Sequence, residues 1–284
     1  MLTTFAADDG FEDGFDDEAD PPRLVIGIDD DRSVALWNGQ GMHLRSLDPS
    51  IATAEFDDPR EAHANVRRVT VSGSDWGSTL IEVRHGLHVK GRLRVSVYPR
   101  RVVRVNFYRV RDRSGRVPVF NTSMVRRLTT QLNRVYRHQT NTSFVSHLVR
   151  DDVPVDLDFA TTDQSAEQVK HIWAVLKETS EELDDAPGHY HVFWVKTYGA
   201  RDKTCRGKVI RDVIGQASAI GGRLCIMEDV HDPHQQGLLL AHELGHCLGA
   251  HHDKGHEAAL MYPSLEGGGK IYTPTVEEIR GSLD

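Results

Sequence analysis

Apolar and polar residues alternate through the first third of the chain. Val89, Gly91, Leu93, Val95 and Val97 alternate with Lys90, Arg92, Arg94 and Ser96. After Pro99, Val103, Val105 and Phe107 alternate with Arg104, Asn106 and Tyr108, and Ile81 and Val83 belong to a third such run. Successive side chains on a strand point to opposite faces, so this spacing predicts short half-buried strands. Several of them, joined by glycine-containing turns, predict a small β-sandwich over residues 23–116.

The period changes after Asn121. Val125, Leu128, Leu132, Val135 and Tyr136 fall on one face of a helix that Asn121 or Thr122 can cap. A strand is expected at 144–149 and a second helix at 165–182, with Val169, Ile172, Trp173 and Leu176 as its apolar stripe. Further strands are expected at 190–197 and 223–227. This mixture predicts an α+β domain over residues 117–284. There are no internal repeats.

Charge and cysteine content refine the outline. Residues 8–20 hold eight acidic side chains and no Lys or Arg. Such a segment repels itself and has little to bury, so residues 1–22 read as a disordered acidic tail ending at Pro21-Pro22. It lacks the basic and apolar regions of a Sec signal, which predicts a protein cytoplasmic at synthesis that stays inside or leaves by a non-classical route. No apolar run approaches the roughly 20 residues that cross a bilayer. Cys205, Cys225 and Cys247 form no zinc-knuckle spacing; reduced thiols are expected, with a Cys205–Cys225 bridge left open. Between residues 84 and 137 there are 15 Lys or Arg and one acidic residue, Asp112. That run reads as a solvated face, with a polyanion-docking face as the alternative; no nucleic-acid motif accompanies it.

The chemistry is concentrated in residues 241–253, AHELGHCLGAHHD. Positions i and i+4 share a helix face, so His242 and His246 can aim imidazole nitrogens at one metal ion. Glu243, beside the first of them, can reach a metal-bound water as general base without itself binding the ion. Gly249 suits a helix end that needs a left-handed backbone, after which the chain turns and offers His251 and His252. Asp232 as N-cap, Pro233 at N1 and Gln235 at N3 specify the start of this helix. Leu238, Leu239, Leu240, Leu244 and Leu248 supply its buried side. The full spacing H-E-x-x-H-x-x-G-x-x-H is far more specific than a bare H-E-x-x-H.

At these residues the sequence resembles the metzincin clan of zinc peptidases. The resemblance selects His252 over His251 as third ligand. Ala259-Leu260-Met261-Tyr262-Pro263 is similar to the clan's Met-turn, whose methionine lies beneath the zinc histidines. The wording of that turn looks like the matrixin branch, and the His252-Asp253 pair like the adamalysin branch. Gly215-Gln216-Ala217, followed by Gly221-Gly222-Arg223-Leu224-Cys225-Ile226, is similar to the edge strand that aligns substrate. This marks Gly215, Ala217 and Gly222 as substrate-binding. Residues 275–283 are similar to the C-terminal helix. Branches with a tyrosine ligand carry it where Pro263 stands, so Tyr262 is not expected to bind metal, and the matrixin cysteine switch is absent. Residues 71–110 loosely resemble bacterial immunoglobulin-like domains.

The resemblance implies an α+β fold: a metzincin-like catalytic domain, with a mixed sheet, an active-site helix and a C-terminal helix, preceded by the β-sandwich. It implies one catalytic Zn2+ held by His242, His246 and His252, with Glu243 as base and Gly249, Met261 and Asp253 as structural support. The expected function is endopeptidase cleavage of a protein or peptide substrate. The β-module adds a docking partner, and the missing signal suggests an exported bacterial effector or toxin. The alternative is a catalytically inactive metzincin-like protein that binds peptide or a polyanion. His171, His231, His234 and His256 read as ordinary solvated residues, and Trp194 as core.

Overall fold

The computed structural model describes residues 3–7, 15–58, 60, 64–160, 165–183, 188–198, 204–205, 208–209, 215–229, 232–263 and 268–283. The chain forms two compact units that interleave along the sequence. The first comprises Met1–Arg101, Arg134–Ser143 and Gly269–Glu277, and the second Val102–Asn133, Phe144–Gly268 and Glu278–Asp284. The expected boundary at 116 is therefore not where the units divide.

The first unit holds strands β1 (Thr4–Ala7), β2 (Phe15–Asp16), β3 (Arg23–Gly27), β4 (Asp31–Trp37), β5 (His43–Ser46), β6 (Ala52–Phe56), β7 (Val66–Gly73), β8 (Gly77–His85) and β9 (His88–Tyr98). They form one sheet in the order β1-β4-β7-β6 and another in the order β2-β3-β9-β8-β5. Val34, Leu36, Val69 and Val71 of the first sheet share a core with Leu24, Ile26, Ile81, Val83, Leu93, Val95 and Val97 of the second. Two sheets closing on one core make the β-sandwich that the alternation predicts.

The acidic segment differs from its expectation. Thr4–Ala7 pairs with β4 and Phe15–Asp16 with β3, and Phe5 and Phe15 are buried in the sandwich; residues 8–14 lie outside the described ones. Two phenylalanines supply the apolar surface that composition alone hides, and Asp16, Asp17 and Glu18 find partners. Asp16 Oδ2 accepts from the Thr273 amide at 2.9 Å and hydroxyl at 2.6 Å. Lys270 Nζ lies 2.6 Å from Asp17, and the Tyr272 hydroxyl donates to Glu18 at 3.0 Å. The Lys270 hydrogen bond holds the Asp17 carboxyl below its ordinary value.

The remaining elements are β10 (Arg101–Arg111), α1 (Thr122–Thr140), β11 (Thr142–Pro154), α2 (Ala166–Leu183), β12 (Tyr190–Val195), the short pair β13 (Thr204–Cys205) and β14 (Lys208–Val209), β15 (Gly215–Ala217), β16 (Leu224–Glu228), α3 (Pro233–Cys247) and α4 (Thr273–Leu283); they make up the second unit, except that Arg101, α1 from Arg134, β11 up to Ser143 and α4 up to Glu277 belong to the first. The second unit's sheet runs β11-β10-β12-β16-β15. β12 is parallel to both β10 and β16, and β15 lies antiparallel at the edge. The alternating run at 103–107, read as part of the sandwich, is thus an inner strand of this second sheet. Alternation predicts a strand but not its partner; the continuous burial of Val105, Asn106, Phe107 and Tyr108 is what a strand covered on both faces shows. Tyr108, Ile172, Leu176, Phe193, Val195 and Ile226 pack in its core. Trp194 is fully buried and stacks on Phe120 with centroids 4.6 Å apart.

The helices follow their stripes. Asn121 Oδ1 caps α1 by accepting from the Met124 amide at 3.0 Å, and Val125, Leu128 and Leu132 are buried. Part of the basic run is paired within the chain: Arg109 with Asp151, Arg111 with Asp152, Arg113 with Asp156, and Arg116 with Asp112 and Asp158. Arg84 and Arg92 share Glu82. Each exposed pair contributes little stability. Cys225 is a free thiol beside Cys247, so the Cys205–Cys225 bridge is not formed. Among the described residues, no helix is long and apolar enough to cross a membrane.

Candidate metal centre

Helix α3 starts where its caps dictate. Asp232 is the N-cap, in extended conformation, and its carboxylate accepts from the His234 amide at 2.8 Å. Pro233 fills N1, where its missing N–H costs nothing. Leu239, Leu240 and Leu244 are buried, while Leu238 is only partly so. At the other end Gly249 takes φ +97°. Its amide donates to the His246 carbonyl at 3.0 Å, and the Ala250 amide to the Gly245 carbonyl at 2.9 Å. Those are the two bonds of a Schellman ending, and they turn the chain back toward the helix.

That turn brings His252 to His242 and His246. The Nε2 atoms of His246 and His252 are 3.1 Å apart, and one nitrogen of each of the three rings lies within 4.8 Å of the others. Tetrahedral zinc with bonds of about 2.0–2.1 Å needs nitrogens roughly 3.3 Å apart. The donor set therefore fits zinc with small ring movements. A second observation supports the fit. His242 Nδ1 is 2.8 Å from the Leu260 carbonyl, and His246 Nδ1 is 2.7 Å from the Ala250 carbonyl. A carbonyl only accepts, so each Nδ1 carries the proton and each Nε2 keeps a free lone pair.

Electrostatics agree. Burial lowers His242 to about 4, outweighing the opposing pull of the Leu260 hydrogen bond. Burial also lowers His246 and His252. All three rings are then neutral at physiological pH, as ligation requires. Beside them burial raises the Glu243 carboxyl to about 7, against a smaller opposing effect of a hydrogen bond from the Ala217 backbone. That value suits a group that takes and returns a proton near neutral pH.

The remaining singled-out residues take definite places. His251 points elsewhere: its amide donates to Glu278 Oε2 at 3.0 Å and its Nδ1 to Glu278 Oε1 at 3.1 Å. Asp253 does not hold His252. Its carboxylate accepts from the Gly255 amide at 2.9 Å and His256 Nδ1 at 2.8 Å, while its own amide donates to the Met261 carbonyl at 2.9 Å. Asp253 thus orders the following loop. Met261 is buried in a turn closed by Ala259 and Tyr262 amide bonds, and the neighbouring Leu260 carbonyl is the one that holds His242. His171 and His234 are exposed, and His231 lies outside the described residues.

Edge strand β15 runs along the site. A Cβ on Gly215 would stand 3.1 Å from Glu243 Cγ and from Leu239 Cδ1, so the absent side chain is what lets the strand reach the carboxyl. Tyr198, buried, donates its hydroxyl to Gln216 Oε1 at 2.5 Å, and burial raises its phenol to about 12. Gly222 closes the β15–β16 turn by donating to the Ala219 carbonyl at 3.0 Å, and the Gly221 amide ties that turn to the His246 carbonyl at 2.8 Å. The two carbonyls that hold the imidazoles escaped the sequence reading because backbone oxygens carry no residue type. Glu278 and Tyr198 escaped it because their partners lie 27 and 18 residues away.

Comparison with known proteins adds the following. Residues 112–273 match the description Metallo-peptidase family M12B, Reprolysin-like. Among solved structures, a zinc-dependent peptidase from Methanocorpusculum labreanum (strain Z) is similar at 12% identity and TM-score 0.41, over 64% of this chain and 100% of that one. Domains 4–9 of the surface-layer protein SbsC match at 17% identity and TM-score 0.26, over 35% of this chain and 14% of that one. The chain spans from 12% to 46% of the SbsC chains it matches. Comparison with curated proteins finds no match. With more than half of its length matched, including the whole three-histidine constellation, the chain belongs to the reprolysin-like M12B family of metallopeptidases.

Proposed function

We propose that this protein is a zinc-dependent endopeptidase that cleaves a protein substrate lying extended along β15. The observation that carries the reading is the set of three neutral imidazoles, two of them fixed by backbone carbonyls, beside the buried carboxyl of Glu243. His242, His246 and His252 would hold one ion. Zinc in that position supplies Lewis acidity toward the scissile carbonyl and toward water.

The chain's own groups supply the rest. Among the described residues β15 is the last strand of its sheet, and such an edge offers main-chain hydrogen bonds that hold a peptide in extended form and in fixed register. Glu243 takes a proton from the attacking water and returns it to the departing amine. Gly215 leaves room for that carboxyl, and the Ala217 backbone hydrogen bond fixes its direction. The intact base favours this reading over an inactive binder.

A quenched protein substrate tests the proposal. Wild type should cleave, chelator should stop it, and zinc should restore it. Glu243→Gln should keep stoichiometric zinc and lose at least about 10²- to 10⁴-fold in turnover, the usual share of a general base. Unimpaired cleavage by that variant would remove Glu243 from the mechanism. For the biological role, the attached β-sandwich supports a docking function and an exported bacterial effector. Detection only in the cytosol of the producing cell, with a housekeeping substrate there, would count against export.

A further inference from the structure

Between the second and third histidines, the chain passes through Leu248, Gly249, Ala250 and His251. α4 grips this turn from two positions one helical turn apart. Glu278 takes the His251 amide on one oxygen at 3.0 Å and the His251 ring on the other at 3.1 Å. Ser282 donates its hydroxyl to the Leu248 carbonyl, and its Cβ would stand 2.9 Å from a Cβ on Gly249. Positions i and i+4 share a helix face, so a single rigid surface fixes both ends of the turn.

This grip bears on ligand choice. His251 and His252 are neighbours, and both are exposed. His252 Nε2 lies 3.1 Å from His246 Nε2, whereas the His251 ring is hydrogen-bonded to a carboxylate. A carboxylate that takes both the amide and the ring of one residue fixes its backbone orientation and its rotamer together. The following residue is then presented to the opposite side.

We propose that Glu278 is a positioning residue: by holding His251 through backbone and ring, it presents His252 to the other two imidazoles and thereby sets the affinity of the site for zinc, with Ser282 fixing the start of the same turn. The inference rests on the peptidase reading of the three histidines and adds to it a group that touches neither metal nor substrate.

The test measures zinc affinity by chelator competition on the full chain, together with the visible spectrum of the cobalt-substituted protein. Glu278→Ala should lose about 10- to 100-fold in zinc affinity, the usual cost of removing a group that orients a ligand. Its cobalt spectrum should change in shape. Glu278→Gln keeps an acceptor for the amide and should recover most of the affinity; Ser282→Ala should show a smaller loss with the same spectral trend. Unfolding of the metal-free variants, followed by circular dichroism, separates this from misfolding. If Glu278→Ala folds poorly, the Gln and Ser282 variants still decide. Wild-type zinc affinity and an unchanged cobalt spectrum in a folded Glu278→Ala protein would overturn the proposal while leaving the peptidase reading intact. A wild-type protein that binds no zinc, with His242→Ala indistinguishable from it, would overturn both.

Discussion

Gly249 and Ser282 meet so closely that a side chain on the first would begin 2.9 Å from Cβ of the second. Gly249 also sits at φ +97°. The glycine is therefore required twice, for a left-handed backbone and for the approach of α4. Alanine there pays about 1–2 kcal/mol of backbone strain, and the overlap adds about 1–3 kcal/mol. Gly249→Ala should lower unfolding free energy by about 2 kcal/mol or more in a denaturant titration and weaken zinc binding as well. A loss under about 0.5 kcal/mol would show that the turn relaxes freely.

Metal removal should expose how much stability the ion contributes. Metal that binds only the folded chain stabilises it by mass action, about 4 kcal/mol at a thousandfold excess over Kd. Chelator should lower the melting temperature in a calorimetric scan, and excess zinc should restore it. The chelator shift should vanish in His246→Ala; a shift of the same size there would place the ion elsewhere.

Gly215→Ala should separate chemistry from metal binding. The new methyl would crowd Glu243 Cγ and Leu239 Cδ1, each 3.1 Å away. If Glu243 is the base, as proposed, its displacement by about 1 Å costs on the order of 10²-fold in rate. Turnover should fall by at least tenfold while zinc content, read by elemental analysis, stays at wild-type level. Equal kcat in the two proteins would show that the carboxyl has room to spare.

Asp17 should contribute a pH-dependent increment. Its carboxyl is held below the ordinary value, chiefly by the Lys270 hydrogen bond. The unfolded chain titrates near about 4, so the increment is fully present above that pH and fades as the pH falls through the lowered folded value. Asp17→Asn should therefore be less stable than wild type at pH 7 and equal to it in strong acid. A difference that stays constant down to acid pH would refute the linkage. The effect should be small, because the carboxylate is largely exposed.

Helix α3 was legible because its pattern is local. An i, i+4 histidine pair, a carboxylate next to the first, a cap at Asp232 and a glycine at the end are all written within eighteen residues of one another. The strand at 101–111 was legible as a strand but not as to its sheet, since alternation is blind to the parallel partner at Tyr190–Val195. The N-terminal segment misled because its charge dominates its composition, while Phe5 and Phe15 do the folding. Spacing left open whether Asp253 orients His252 or the loop after it; its carboxylate accepts from Gly255 and His256, a matter of loop geometry that spacing does not encode.

The interleaving of the two units constrains how this chain can be cut. Its path passes between them at 101/102, 133/134, 143/144, 268/269 and 277/278. Severing it at 116 would strip the second unit's sheet of β10 and leave β12 with only one of its two parallel neighbours, β16. The sandwich would likewise forfeit Thr273, whose amide and hydroxyl answer Asp16. A cut at 116 therefore leaves neither unit whole.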